Sequence, residues 1–266
     1  MARAMIAIIF GIAILCMPIQ TLAEENQIAL IIDDFGGDVK GVKQFLKADI
    51  PITVAIMPFQ KHAKEQAELA YNAGLEVIIH MPMEPKQGKA SWLGPNAITT
   101  NLSDDEIEKR VREAIENVPH AVGMNNHMGS KIVEDEHIMR IILKIANEHQ
   151  FYFLDSGTSP QSVIPKIAQE FNMPYIKRDI FIDDTLSSQY EVEQQLDKLI
   201  KLSIDKGKAV GIGHVGVKGH ETFLAVENGW KKMKQNQLRL VSLSELMDSP
   251  LTHQLHHIQY EGGEKP

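Results

Sequence analysis

Short apolar runs recur along this chain at residues 27–32, 52–57, 75–79, 121–124, 151–154, 174–178, 208–213 and 239–241. Each is rich in Ile, Val, Leu or Phe and shows little alternation. That is the signature of strands buried on both faces, as in parallel sheets. Stretches with helical periodicity lie between the runs, so the chain reads as α/β. Several runs end in a residue that can bind a metal or move a proton. Ile32 precedes Asp33-Asp34, Ile79 precedes His80, Met124 precedes Asn125-Asn126-His127, Leu154 precedes Asp155, and Gly213 precedes His214. The C-terminal ends of parallel strands share one face, where residues distant in sequence meet in one pocket.

The intervening segments support this reading. Ser103-Asp104-Asp105-Glu106 reads as a capping box, in which Ser103 accepts from the Glu106 N–H and Glu106 accepts from the Ser103 N–H. Ile107, Val111, Ala114, Ile115 and Val118 then form one apolar face. Residues 61–73, 135–149, 188–206 and 219–236 also read as helices, with Gly74 and Gly207 placed for left-handed caps. No glycine-rich phosphate loop follows the first strand. The repeats therefore predict a distorted (β/α) barrel of about seven strands, with an open doubly wound sheet as the alternative.

The first residues predict an export signal over 1–23. Arg3 gives a basic start, Met5 to Met17 is apolar, and Thr21-Leu22-Ala23 supplies small residues for cleavage. The apolar stretch is short for a membrane span. The barrel domain is expected over 24–248 and a polar tail over 249–266. Cys16, the single cysteine, falls in the signal. The exported chain then has no disulfide and no thiolate, so His, Asp and Glu must hold any metal. The net charge is −8, with no basic cluster, which argues against nucleic acid and anionic membranes as partners.

Two adjacent carboxylates at a strand end need a cation or a shared proton. A metal can take one of Asp33 and Asp34 while the other stays free as a base. His80 stands before a Pro-bounded turn that would fix its ring, and Glu84 either reaches the same centre or caps the next helix. The polar run from Asn125 to Ser130, with Asn126 and His127 inside it, reads as the lining of a site. Asp155-Ser156 either orients a histidine or substrate, or forms an N-cap. Arg178-Asp179 and Asp183-Asp184 read as ion pairs behind the site, substrate clamps or solvated loops. His214, between Gly213 and Val215-Gly216, has room to face a cavity as a general acid. Trp92, in the long segment 85–102, either stacks on a sugar or anchors the loop.

These residues resemble the motifs of the polysaccharide deacetylase superfamily, and most closely its divergent polysaccharide deacetylase branch, over about Gln27 to Met247. Ile32-Asp33-Asp34-Phe35-Gly36 is similar to the first motif, whose first Asp is the base and second binds metal. His80 to Pro85 has the length of the second, with Glu84 where a second metal His is usual. Asn126 to Gly129 and Asp155 fall near the third and fourth, and Ile212-Gly213-His214 is similar to the last. The resemblance implies an exported, metal-dependent hydrolase that removes N-acetyl groups from an envelope polysaccharide. Asp33 would be the base, His214 the acid, and Asp34, His80 and His127 the ligands of a divalent metal, Zn²⁺. Glu84 is the alternative third ligand. Asn126, Asp155, Ser156, Arg178 and Asp179 would support substrate or ligands. The alternative function is a barrel that has lost its chemistry and acts as a scaffold in envelope assembly.

Overall fold

The computed structural model describes residues 26–184 and 186–248; the expected signal and tail lie outside the described residues. The strands are β1 (Gln27–Phe35), β2 (Thr53–Ile56), β3 (Glu76–Met83), β4 (Ala121–Met128), β5 (Tyr152–Asp155), β6 (Tyr175–Lys177), β7 (Ile180–Phe181), β8 (Lys208–His214) and β9 (Arg239–Val241). The helices are α1 (Val42–Phe45), α2 (Ala63–Asn72), α3 (Asp104–Asn117), α4 (Glu136–Glu148), α5 (Ile164–Glu170), α6 (Gln189–Lys206), α7 (Gly219–Gln235) and α8 (Leu243–Asp248). Every pairing is parallel, in the order β6-β5-β4-β3-β2-β1-β8-β7, with β9 against the start of β1. The sheet curls into a barrel left open between β6 and β7, and the fold is the expected distorted α/β barrel. No helix among the described residues is long and apolar enough to cross a membrane.

Strand alternation divides the apolar residues into two cores. Ile28, Leu30 and Ile32 of β1 point outward to the helices, where the larger core forms. Ala29 and Ile31 point inward, with Ile78 of β3, Leu154 of β5, and Val210 and Ile212 of β8. The next inward positions are Asp33, His80 and His214. The barrel interior is therefore apolar below and polar at its C-terminal mouth.

Several boundaries differ from the sequence reading. β1, β3 and β4 run three or four residues beyond their apolar runs, because the polar residues that follow keep pairing at the mouth. The short β7, α1, α5 and α8 carry too few periodic residues to be read from pattern. The capping box at Ser103 is half formed: Ser103 accepts from the Glu106 N–H, but the Glu106 carboxylate takes Arg110 one turn on instead. A full box caps α6 at Ser188 and Glu191.

The other end of the barrel is plugged. Glu76, at the start of β3, accepts from Thr53 Oγ1 (3.0 Å), Tyr152 OH (2.8 Å) and the N–H groups of Leu243 (3.0 Å) and Ser244 (3.2 Å). It thus satisfies the free donors at the N-terminus of α8. Leu243 and Leu246 of that helix fill the inner core from below.

Candidate metal and acid–base site

Asp33 and Asp34 face the same cavity although they are consecutive. In a regular strand they would point to opposite faces. The register of β1 against β2 shifts between Ile32 and Phe35, and Asp34 sits at φ +69°, in the left-handed region. This bulge turns Asp34 toward the side that Asp33 already faces. Asp is among the residues that tolerate such a backbone. Gly36 follows at φ +108°, where a Cβ would lie 2.8 Å from the Met57 carbonyl oxygen.

The parallel registers place the other groups. Asp33 is paired with His214 across β1 and β8, and His80 with Asn125 across β3 and β4. His127 lies two residues beyond Asn125, on the same inward face. His80 Nε2, His127 Nδ1 and Asp34 Oδ1 form a triangle with sides of 3.0, 3.1 and 3.3 Å.

Hydrogen bonding fixes which nitrogens in this triangle carry protons. Asn125 donates through Nδ2 to both oxygens of Asp33, at 3.0 and 3.2 Å. Its Oδ1 must then face His80, whose Nδ1 lies 2.7 Å away and is the donor. His127 Nε2 is 2.9 Å from the Trp92 carbonyl oxygen, which can only accept. In neutral rings, His80 Nε2 and His127 Nδ1 therefore present lone pairs to each other. Asp34 Oδ1 is buried between them without a hydrogen-bond donor. Three lone pairs this close repel unless a metal ion or a proton lies among them; without a metal, the Asp33 and Asp34 carboxylates favour a proton on His80 and raise its pKa against burial. Donors around one tetrahedral zinc at about 2.0–2.2 Å lie about 3.3–3.6 Å apart, so the triangle would open by a few tenths of an ångström to hold such an ion. Ring N–H groups held by an amide and a backbone carbonyl are the usual outer partners of metal-binding histidines.

The remaining charges flank this triangle. Asp33 is 1 % exposed. Burial pushes its carboxyl up, against the pull of the His80 and His214 rings. Burial would raise Asp34 too, but the two imidazoles outweigh it and hold that carboxyl well below the usual range. His214 donates through Nδ1 to Asp183 Oδ1 at 2.7 Å. Asp183 Oδ2 accepts from the His214 N–H and from the Thr222 hydroxyl. Burial would lower the His214 pKa, but Asp183 prevails and pushes it up to about 9. With Nδ1 held by Asp183, Nε2 is the nitrogen left for the cavity. Asp33, Asp34, His80, His127 and His214 all line one cleft of about 570 Å³, together with Asn126, Ser156 and Asp183.

The expectations for Glu84 and Asp179 need correction, and Asp155 and Arg178 take the alternatives left open, a backbone cap and a cation behind the site. Glu84 does not reach the centre. β3 stays extended through Met83, so at about 3.3 Å per residue Glu84 is carried about 13 Å past His80. There it accepts from the N–H and hydroxyl of Thr100 and from Lys131 Nζ. Asp179 accepts from the Val210 N–H on β8, away from the cleft. Asp155 is fully buried, with Oδ1 on the Gly157 N–H, and does not orient His214. Arg178 donates to the carbonyl oxygens of Ser156 and Gly157 and lies over the Phe181 ring at 3.6 Å, behind the cleft wall. Asn126 and Ser156 bond to each other and shape the wall. The orienting groups are instead Asp183 and Asn125. The sequence signal for Asn125 was its place two residues before His127. Asp183 reads only as part of a charged pair, with nothing in the sequence to join it to His214.

The family profile for divergent polysaccharide deacetylases matches residues 30–247. An uncharacterized Escherichia coli protein, YibQ, is 34 % identical over 85 % of this chain and 68 % of its own length. An uncharacterized Haemophilus influenzae protein is 30 % identical over 84 % of this chain and 77 % of its own. Among solved structures, an uncharacterized Agrobacterium tumefaciens protein matches 85 % of this chain and 91 % of its own, with TM-score 0.76 and 19 % identity. The catalytic domain of a peptidoglycan N-acetylglucosamine deacetylase from Eubacterium rectale matches 82 % and 89 %, with TM-score 0.51 and 16 % identity. These two likenesses concern the fold.

Proposed function

The chain belongs to the divergent polysaccharide deacetylase family, and from that premise we propose that it is an exported, metal-dependent hydrolase that removes N-acetyl groups from an envelope polysaccharide. The observation that carries this reading is the convergence of one carboxylate oxygen and two imidazole nitrogens, from Asp34, His80 and His127, between a buried carboxylate and an oriented imidazole.

Asp34, His80 and His127 would hold the cation, with zinc the expected ion for one carboxylate and two imidazoles. When bound, the cation would supply Lewis acidity, lowering the pKa of a water and polarising the acetamide carbonyl. The chain's own groups handle the protons. Asp33, held by Asn125, takes one from the attacking water. The water oxygen adds to the carbonyl carbon, moving the C=O π pair to oxygen, and the C–N bond breaks as that pair returns. His214 delivers a proton from Nε2 to the departing amine, and Asp183 stabilises the imidazolium until then. The products are acetate and a free amino sugar. Asp33 and His214 project from neighbouring strands at paired positions, which sets base and acid side by side.

The test joins metal content to acetate release. The wild type should retain close to one divalent ion per chain and release acetate from N-acetylglucosamine oligomers or acetylated peptidoglycan. Asp34→Ala should lose both metal and activity. A wild type that holds metal but releases no acetate from any N-acetylated glycan would overturn the substrate assignment. One that holds no metal would overturn the site.

A further inference from the structure

The segment 85–102 projects Trp92 onto the rim of the cleft, where the indole is 58 % exposed. At the rim it lies on the path of a ligand entering the cleft. Its backbone is not free to wander. The Trp92 carbonyl accepts from Nε2 of His127, at 2.9 Å, while Nδ1 of the same ring faces Asp34 and His80. The indole is therefore held at a set distance from the metal-binding triangle by one imidazole. Lys89 Nζ lies over the ring, 5.3 Å from its centroid.

The charge of the cleft narrows what would lie against that ring. Asp33, Asp34, Asp183 and Asp184 line it, and its lining cations are already paired: Lys218 with Glu221 at 2.9 Å and the His214 imidazolium with Asp183 at 2.7 Å. A polyanionic chain would meet four carboxylates whose cationic partners are already engaged with them. A neutral pyranose presents C–H groups to an aromatic face and needs no counter-charge.

We propose that Trp92 is a specificity-determining residue, an indole platform for a neutral pyranose next to the unit being deacetylated, registered to the metal site through its own carbonyl. The inference rests on the hydrolase reading for the choice of an N-acetylated oligomer. The platform itself is tested by binding, so the two can fail separately.

Trp92 and Trp230 are the only tryptophans. In the zinc-loaded full chain carrying Trp230→Phe, Trp92 is the sole indole reporter. Adding the neutral tetramer of N-acetylglucosamine should shift its emission, and a uronate tetramer should not. Trp92→Ala should raise KM for the neutral tetramer about tenfold, with kcat and bound metal nearly unchanged. Trp92→Phe should restore part of the loss, and the KM for an N-acetylated monosaccharide should not move. Because Trp92 is exposed, Trp92→Ala should fold. If Trp230→Phe does not fold, titration calorimetry of Trp92→Ala against wild type measures the same binding, and the variant should lose about tenfold in affinity for the neutral tetramer. No emission shift with the neutral tetramer would overturn the platform whether or not acetate is released. An equal shift with the uronate would overturn its preference for neutral sugars. Equal losses on tetramer and monosaccharide would reduce Trp92 to a support for His127. Emission shift without acetate release would sustain the platform and overturn only the hydrolase.

Discussion

The two ends of the barrel each hold a carboxylate at a strand terminus, and they treat it in opposite ways. At the plugged end, Glu76 is surrounded by donors from Thr53, Tyr152, Leu243 and Ser244. At the open end, Asp34 Oδ1 is buried, outside hydrogen-bond geometry, and faces two imidazole nitrogens at 3.1 and 3.3 Å. Glu76 sits in ordinary strand backbone, whereas Asp34 sits at φ +69°, a conformation that costs about 1–3 kcal/mol in a residue other than glycine. A carboxylate that serves the fold gathers hydrogen-bond donors. One held for a ligand is kept short of them, on a backbone that the surrounding sheet must enforce. The difference predicts that substitutions at the two ends separate activity from stability.

The largest effect should come from the open end. Asp33→Asn keeps the shape of the side chain and removes the base. Acetate release should fall by about 10²–10⁴-fold, while the melting temperature and bound metal stay close to wild type. An asparagine variant that keeps wild-type rates would dismiss Asp33 as base. At the plugged end, Glu76→Ala should leave the Tyr152 hydroxyl and the Ser244 N–H without an acceptor and the Thr53 hydroxyl with nowhere to donate, while the Leu243 N–H keeps only Thr53 Oγ1. A loss of about 3 kcal/mol follows, or a fall of about 6–12 °C in Tm for a chain of this size. The activity per folded molecule should be unchanged. If Glu76→Ala loses activity without losing stability, the contrast between the ends is wrong.

Asn125 sharpens the comparison because it belongs to both descriptions. It is a buried, fully bonded amide, yet what it satisfies is the base and a metal ligand: Asp33 on one side, His80 on the other. Asn125→Ala frees the His80 ring to rotate or change tautomer. Metal affinity should weaken by about 10–100-fold, the range carried by partners of metal ligands. Titration with a zinc indicator measures this directly. An unchanged affinity would show that the sheet alone fixes His80.

Much of this was legible before the structure. The inward positions Ala29, Ile31 and Asp33, or Val210, Ile212 and His214, follow from strand alternation once the runs are read as parallel strands. Their convergence follows from topology. What failed to read were relations that depend on how far a strand continues and on what sits across from it. Glu84 looked close to His80 in sequence because a turn was expected after the histidine; β3 stays extended and carries it away. Asp183 follows a two-residue strand without any periodic signal, so its place under His214 is a tertiary fact. Asn125 looked like one polar residue in a run, since an amide's role depends on partners that the sequence does not pair with it. The S-x-x-E pattern at Ser103 was sound in form, but Arg110 competes for the glutamate, a contest that spacing alone does not decide.

The smallest and most diagnostic effect lies in the titration of His214. Its pKa is raised to about 9, against burial, by the bond and charge of Asp183, with Asp34 and Asp33 adding to it. A histidine with a raised folded pKa contributes stability that is fully present below its unfolded value of about 6.5 and is lost as pH rises through about 9. The same proton is the one offered to the leaving amine, so the alkaline limb of activity should fall in that upper range. A cation on Asp34 would offset part of the carboxylate charge and move the limb lower, which makes the metal-free protein the cleaner sample. There, one histidine C–H resonance, absent in His214→Gln, should titrate near pH 9. Asp183→Asn should bring it down toward the ordinary range, while Glu76→Gln at the plugged end should leave it in place. If no histidine titrates above about pH 8 in the metal-free wild type, Asp183 does not hold the imidazolium, and the acid must be sought elsewhere along the cleft.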